Sequence, residues 1–335
     1  MSVSLRRPIV LGLAAMMLAS FVALAAPAEA TGFTQDRTYR VTVENLTENQ
    51  ILTPTVVASH RASLHVFREG REASNGIQQL AENGGVPVLV EELAANRKVS
   101  DVIAVGNGQP IEPGASTTAY LTAARNATRV SVAGMLICTN DGFGGVDSAG
   151  LPRWVGHAKT FYGNAYDAGT EVNTESCADL VPPCDGKGQT GDSNPKLAEN
   201  GVVHGHGGIM GGASLSEEQH GWTDPVMRIT IERVRLFEVT VTNLTDTQLM
   251  TPIVFATQYG KHRVFRSGAP ASNGIAQLAE NGGVAVLVDE LNAKRGIGTV
   301  AVIGDMALKP GDSVSTTVEV ADHGRRVSVA GMLIC

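Results

Sequence analysis

The run VSVAGMLIC occurs twice, at Val130–Cys138 and at Val327–Cys335. It belongs to a longer repeat. Tyr39–Pro54 (YRVTVENLTENQILTP) matches Phe237–Pro252 (FEVTVTNLTDTQLMTP), and Ala73–Val86 (ASNGIQQLAENGGV) matches Ala271–Val284 (ASNGIAQLAENGGV), both 198 residues apart. After one deletion Cys138 aligns with Cys335. A period this long is a duplicated domain rather than a solenoid repeat. The first copy is read as 37–234 and the second as 235–335, and Thr139–Val234 has no counterpart in the second copy.

The hydrophobic pattern within a copy is mostly that of strands. Tyr39, Val41 and Val43 alternate with Arg40, Thr42 and Glu44, the period-2 signature of a strand with one wet face. Ile51–Ala58 reads as a second strand interrupted by Pro54, which suggests an edge or bulge. In Val130–Ile137, Val130, Val132 and Leu136 share one face and Ala133, Met135 and Ile137 the other, so this strand is apolar on both sides and belongs to a core. Ser74 is placed to cap a helix carrying Ile77, Leu80 and Ala81 on one face, with Gly84-Gly85 as its stop. A second short helix is predicted over Val90–Asn96, with strands at Val102–Val105, Ser116–Leu121 and Val226–Val234. The Gly-, Asp-, Lys- and Asn-rich segment Asp185–Asn200 reads as part of a long loop region. Asn45, Asn126 and Asn243 each begin an N-x-S/T triplet, a motif that is frequent by chance.

Residues 1–30 have the layout of an export signal: Arg6 and Arg7, the apolar run Ile9–Leu24, and Ala28-Glu29-Ala30 as a cleavage site. Its removal takes away Arg6, Arg7 and Glu29, so the formal charge goes from −7 to −8. An acidic surface argues against a nucleic-acid partner and is compatible with cations. Export permits disulfides. Cys138, Cys177, Cys184 and Cys335 allow three full pairings, between which the sequence does not choose; Cys177 and Cys184 flank a Pro-Pro turn, and Cys138 and Cys335 end core strands.

The chemistry-bearing residues cluster after the core strand. Asp141 sits in the glycine-rich turn Asn140–Gly145, Asp167 and Glu171 lie four apart on a Asp-Ala-Gly-Thr loop, and Asp147 is a further candidate. Calcium takes six to eight oxygen ligands from carboxylates, carbonyls and water, and these residues could supply some of them. The competing explanation is that Asp141 and Asp147 are turn formers bonded to their own backbone. His204-Gly-His206 offers two imidazoles suited to zinc or copper, although two histidines in a glycine loop are more often a flexible turn. His60 and His65, near strand ends, read as packed or hydrogen-bonded side chains. There is no G-x-S-x-G, P-loop or H-E-x-x-H motif, and aromatic residues, 4% of the chain, are too few for an extended carbohydrate-stacking surface.

Three stretches carry a family resemblance: His60–Gly70 (HRASLHVFREG), Ala73–Leu93 (ASNGIQQLAENGGVPVLVEEL), and the core strand into Asn140-Asp141-Gly142-Phe143 followed by Tyr166-Asp167-Ala168-Gly169-Thr170-Glu171. Together they resemble the spondin N-terminal domain of F-spondin-like matrix proteins and bacterial exported proteins. The resemblance implies an all-β fold, a C2-like antiparallel β-sandwich with short helical insertions, here duplicated with an incomplete second copy. It also implies a calcium ion held by Asp141, Asp167 and Glu171. Tyr166 stands where the family has Trp, and Glu171 where it has Asp. The function expected is an exported, secreted or periplasmic, non-enzymatic calcium-binding adhesion module that engages a surface, matrix component or protein. The alternative is a metal-dependent hydrolase using His204 and His206. A sandwich lacking strands exposes an edge, so the second copy is expected to pack onto the first, to borrow a strand in an oligomer, or to be poorly ordered.

Overall fold

The computed structural model describes residues 36–182, 193–321, 324 and 326–334. The expected export signal, Cys184, Cys335 and residues 185–192 of the Asp185–Asn200 segment lie outside the described residues. In the first copy the elements are β1 (Arg37–Asn45), β2 (Val56–His60), α1 (Asn75–Asn83), α2 (Val86–Ala94), β3 (Val99–Ala104), β4 (Ser116–Ala123), β5 (Arg129–Met135), β6 (Gly142–Gly150) and β7 (Ala158–Asp167). The two-residue β8 (His204–Gly205) and the short α3 (Glu217–His220) lead into β9 (Met227–Thr242). In the second copy β10 (Leu249–Met250), β11 (Ile253–Gln258), α4 (Asn273–Asn281), α5 (Val284–Ala293), β12 (Ile297–Ile303), β13 (Ser313–Val320), β14 (Arg326–Ala330) and β15 (Leu333–Ile334) repeat the order of the first copy as far as β5.

The first copy is an antiparallel sheet in the order β3-β2-β5-β6-β7-β9-β1-β4. It curls until its ends meet: Asp101 on β3 accepts from the Thr122 amide (2.6 Å) and hydroxyl (2.8 Å) on β4. β7 makes the turn between layers. Residues 164–167 pair with β6, whereas residues 158–163 pair with β9. Tyr39, Val41 and Val43 of β1 face inward against Val57, Val130, Val132, Ile229 and Ile231 to form one core. A second core lies under α1 and α2, where Ile77, Leu80 and Leu89 meet Val56, Phe67, Ala133 and Phe143.

Local chemistry explains the elements. Ser74 Oγ accepts from the Ile77 amide, and Gly84 ends α1 in the left-handed region at φ 63°. Ser272 and Gly282 do the same for α4. Ser74→Ala should therefore lower stability by about 1 kcal/mol, the usual worth of an N-cap, read as a shift of the urea midpoint at unchanged slope. The triplets at Asn45 and Asn243 are turn locks. Each amide is buried; Asn45 donates to the Gln50 and Ile111 carbonyls and accepts from Thr47, and Asn243 makes the equivalent bonds to Gln248, Leu308 and Thr245.

Several expected boundaries move. Residues before Val56 are not in β2; only Leu52 forms isolated bridges, to Ile111 and Leu136. The second helix starts at Val86 instead of Val90, because Pro87 suits a first helical turn. Residues 139–225, where no strand is predicted, contain β6 and β7. The strand expected at Val226–Val234 continues without a break to Thr242, so β9 serves both copies: residues 227–234 pair with β1 and 235–242 with β13.

The second copy thus grows out of the first, and Glu319 bonds Arg40 and Tyr120 across the junction. Among the described residues, two strand segments of the second copy keep one neighbour where their counterparts β5 and β1 have two. β14 pairs only with β11, and residues 235–242 of β9 only with β13. Equivalent positions accordingly meet different surroundings: Val130 is 1% exposed and its counterpart Val327 59%, and Phe67 is 7% exposed against 54% for Phe265.

Candidate functional site

The site lies where β5 ends. β5 carries the chain to Thr139, whose hydroxyl donates to the Leu136 carbonyl (2.6 Å) and accepts from the Gly142 amide (2.9 Å), closing the turn that presents Asp141. β6 then returns beside β7 with Gly142 opposite Asp167, and the Ala168 amide donates to the Asp141 carbonyl at 3.0 Å. This register brings two acidic residues 26 positions apart in sequence to neighbouring places. The loop after Asp167 needs a glycine. Gly169 has φ +68°, and a Cβ there would lie 2.5 Å from the Val202 nitrogen.

Asp141, Asp167 and Glu171 are all buried. One oxygen of Asp141, Oδ2, accepts from the Thr170 amide (2.7 Å), the Glu171 amide (3.0 Å) and the Thr170 hydroxyl (3.1 Å). The other, Oδ1, is buried without a hydrogen-bond partner. Burial pushes the Asp141 carboxyl up to about 6, the nearby Asp167 charge pushes the same way, and the hydrogen bonds from Glu171 and Thr170 hold it back. Asp167 accepts from the Gly169 amide (2.7 Å) and from Asn173 Nδ2 (2.6 Å). Glu171 meets Asp141 through its own backbone amide, while its carboxylate accepts from the Asn194 amide at 3.3 Å.

The arrangement is a carboxylate pair with one orphaned oxygen. Among the described residues no three His, Cys, Asp or Glu side chains are grouped so as to hold a metal ion. Asp147 takes no part. It lies six residues along the chain, about 20 Å at strand spacing. Its carboxylate accepts from the Val66 amide (2.8 Å) and Ser131 Oγ (2.7 Å), and it pairs with His65 Nδ1. His60 is buried between the Arg61 carbonyl and Ser131 Oγ.

β8 lays the histidine loop against β7, with His204 opposite Asp167. His204 is exposed, and its Nε2 is 3.9 Å from Asp167 Oδ1. His206 Nδ1 accepts from the Gly208 amide at 3.0 Å, its Nε2 is buried without a partner, and its ring stands edge-on to Trp222 at 5.0 Å. Burial lowers the His206 pKa against the pull of Asp167, which favours the neutral ring.

One residue of this region has no motif to announce it. Glu175, at φ 52°, accepts from the Met210, Gly211 and Gly212 amides at 2.5, 2.8 and 3.0 Å. Burial works against the charge, yet these three donors win and hold the Glu175 carboxyl below its usual value. It anchors the histidine loop to the Asp167 loop. The only sequence signal is the glycine density of His204–Gly212, which leaves amides free to converge.

Residues 45–178 match the family model described as Spondin_N. The matched span contains Asp141, Asp167 and Glu171 and stops short of β9 and the second copy. No curated protein matches the chain.

Proposed function

We propose, on the premise that residues 45–178 belong to the spondin N-terminal domain family, that the chain is an exported, non-enzymatic interaction module whose β5-end loops are organised by calcium. The family is one of extracellular-type interaction modules. Within that frame the carboxylate pair carries the finer reading. An acidic oxygen that is buried, unpartnered and next to a second carboxylate is costly in a folded protein, and a hard cation relieves both defects at once.

The donor set fits calcium better than a softer metal, since it is oxygen only. Asp141 and Asp167 would hold the ion, with backbone carbonyls and water completing the six to eight oxygens it takes. Glu171 would join after releasing the Asn194 amide. Bound calcium supplies charge neutralisation and fixes the two loops as a platform; the partner is a surface, a matrix component or a protein.

Calcium should raise the thermal midpoint by mass action on the folded state, about 2.7 kcal/mol at a hundredfold excess over the dissociation constant. At roughly 2–4 °C per kcal/mol, that is about 5–10 °C between calcium and chelator. Coincident melts would remove the calcium part of the proposal and leave the interaction module.

The hydrolase reading has one observation in its favour, the approach of His204 to Asp167. Against it, His206 Nδ1 already accepts a backbone hydrogen bond. Ester, phosphate and glycan substrates run with zinc or manganese separate the two: turnover lost in His204→Ala would replace the module reading with an enzyme.

A further inference from the structure

At the other end of β5 lies a cleft of about 580 Å³ lined by Arg37, Arg125, Arg129, Arg153, Lys159 and Arg233, with no acidic residue in its wall. The composition makes this unexpected. The chain has 26 Lys and Arg against 33 Asp and Glu, so six cations gathered without a counter-charge are a local reversal of the overall field. None of the six forms an ion pair among the described residues.

Arg37, Lys159 and Arg233 are held in place by backbone carbonyls. Arg37 Nη2 donates to the Ala124 carbonyl at 2.8 Å and also to that of Ala127. Lys159 Nζ donates to the Gly150 carbonyl at 2.9 Å, and Arg233 donates to the Arg153 carbonyl. Neutral acceptors orient the groups and leave their charge uncompensated. One donor, Arg37 Nε, is buried with no partner at all. Trp154 stands beside the cleft, 63% exposed, with the Arg153 guanidinium 6.0 Å from its ring centre.

We propose that this cleft binds a saccharide carrying sulfate or phosphate esters. Guanidinium groups match the oxygens of such esters in bidentate fashion, and the volume suits one or two sugar units. The exposed indole offers an apolar face for the sugar ring. The low overall aromatic content, which argues against an extended stacking surface, does not bear on a site where one ring sits among six charges. A long nucleic acid is disfavoured, because the rest of the acidic surface repels it and there is no series of aromatic platforms for bases. The cleft is at the opposite end of β5 from Asp141, so it does not depend on calcium.

The test is titration of the full exported chain with a heparin hexasaccharide, its fully desulfated form, inositol hexakisphosphate and inorganic sulfate. The hexasaccharide should bind at 50 mM salt and weaken at least tenfold at 500 mM, as screened charges do. The desulfated form should not bind. Arg125→Gln with Arg153→Gln, both exposed positions, should cost at least tenfold. Trp154→Ala should cost several-fold, and Arg266→Gln on the second copy nothing. Inositol hexakisphosphate binding with the same dependence on the variants would identify phosphate esters as the natural group; hexasaccharide preference would identify sulfate. Inorganic sulfate competing at equal affinity, loss of affinity in Arg266→Gln, or hexasaccharide binding indifferent to the cleft variants would overturn the assignment.

Discussion

Phe67→Ala is expected to cost about 3–5 kcal/mol, the usual loss for a buried phenylalanine, while Phe265→Ala, at the equivalent place in the second copy, costs under about 1 kcal/mol, as exposed substitutions do. The surrounding segments are close relatives in sequence; the difference lies in what covers the ring. Phe67 stands edge-on to Phe143 at 5.0 Å and lies 5.1 Å from Tyr166. Those partners come from β6 and β7, which have no counterpart among the described residues of the second copy, and Phe265 is 54% exposed. Calorimetry of each variant beside the parent chain measures both losses. Equal costs would mean that Phe265 is buried in solution, as it would be if two chains associated through the incomplete copy. Sedimentation across a concentration series reads that outcome directly.

The same contrast marks how far the residues alone could be read. Elements specified by local chemistry were legible. The Ser74 cap, the Gly84 stop and the alternation in Tyr39–Val43 each follow from neighbours within a few positions. β6 and β7 were missed because their sequences look like loop. Gly142-Phe143-Gly144-Gly145 lacks β-branched residues for a tertiary reason: a Cβ on Gly144 would lie 2.7 Å from Met227 Cε, and one on Gly163 would lie 2.7 Å from the Gly145 carbonyl oxygen. Strands that approach this closely must be glycine there, and no pattern of period two reports it. For the site, the residue names at 141, 167 and 171 were legible through the family motif. Their states were not. The orphaned oxygen on Asp141, the turning of Glu171 toward Asn194 and the anchoring by Glu175 depend on which amides the fold brings together. The basic cleft was illegible for the same reason: Arg37, Arg129 and Arg233 come from three separated strands.

The sharpest expected effect at the site is a gain of stability from removing a charge. Asp141→Asn should melt above the parent protein in chelator at pH 7.5, by up to about 3 kcal/mol. The sign follows from linkage. The folded carboxyl titrates near 6 and the reference group at 3.8, so between these values the folded state holds a proton that the unfolded state has released. Stability therefore falls as pH rises from about 4 to 6, and the full penalty, about 1.4 kcal/mol per tenfold shift in proton affinity, persists above that. Asparagine keeps an oxygen for the Thr170 and Glu171 amides and replaces the unpartnered Oδ1 with a neutral amide beside Asp167. At pH 4, where the aspartate is largely protonated in the fold, the advantage should shrink toward zero. Calcium should reverse the order: the parent gains several degrees and Asp141→Asn gains none, because the charge that costs stability without the ion is the charge that binds it. A variant less stable than the parent by the same amount at pH 4 and pH 7.5, with or without calcium, would show that the Asp141 charge carries no penalty in the fold. The physical reason for placing a cation there would then be gone.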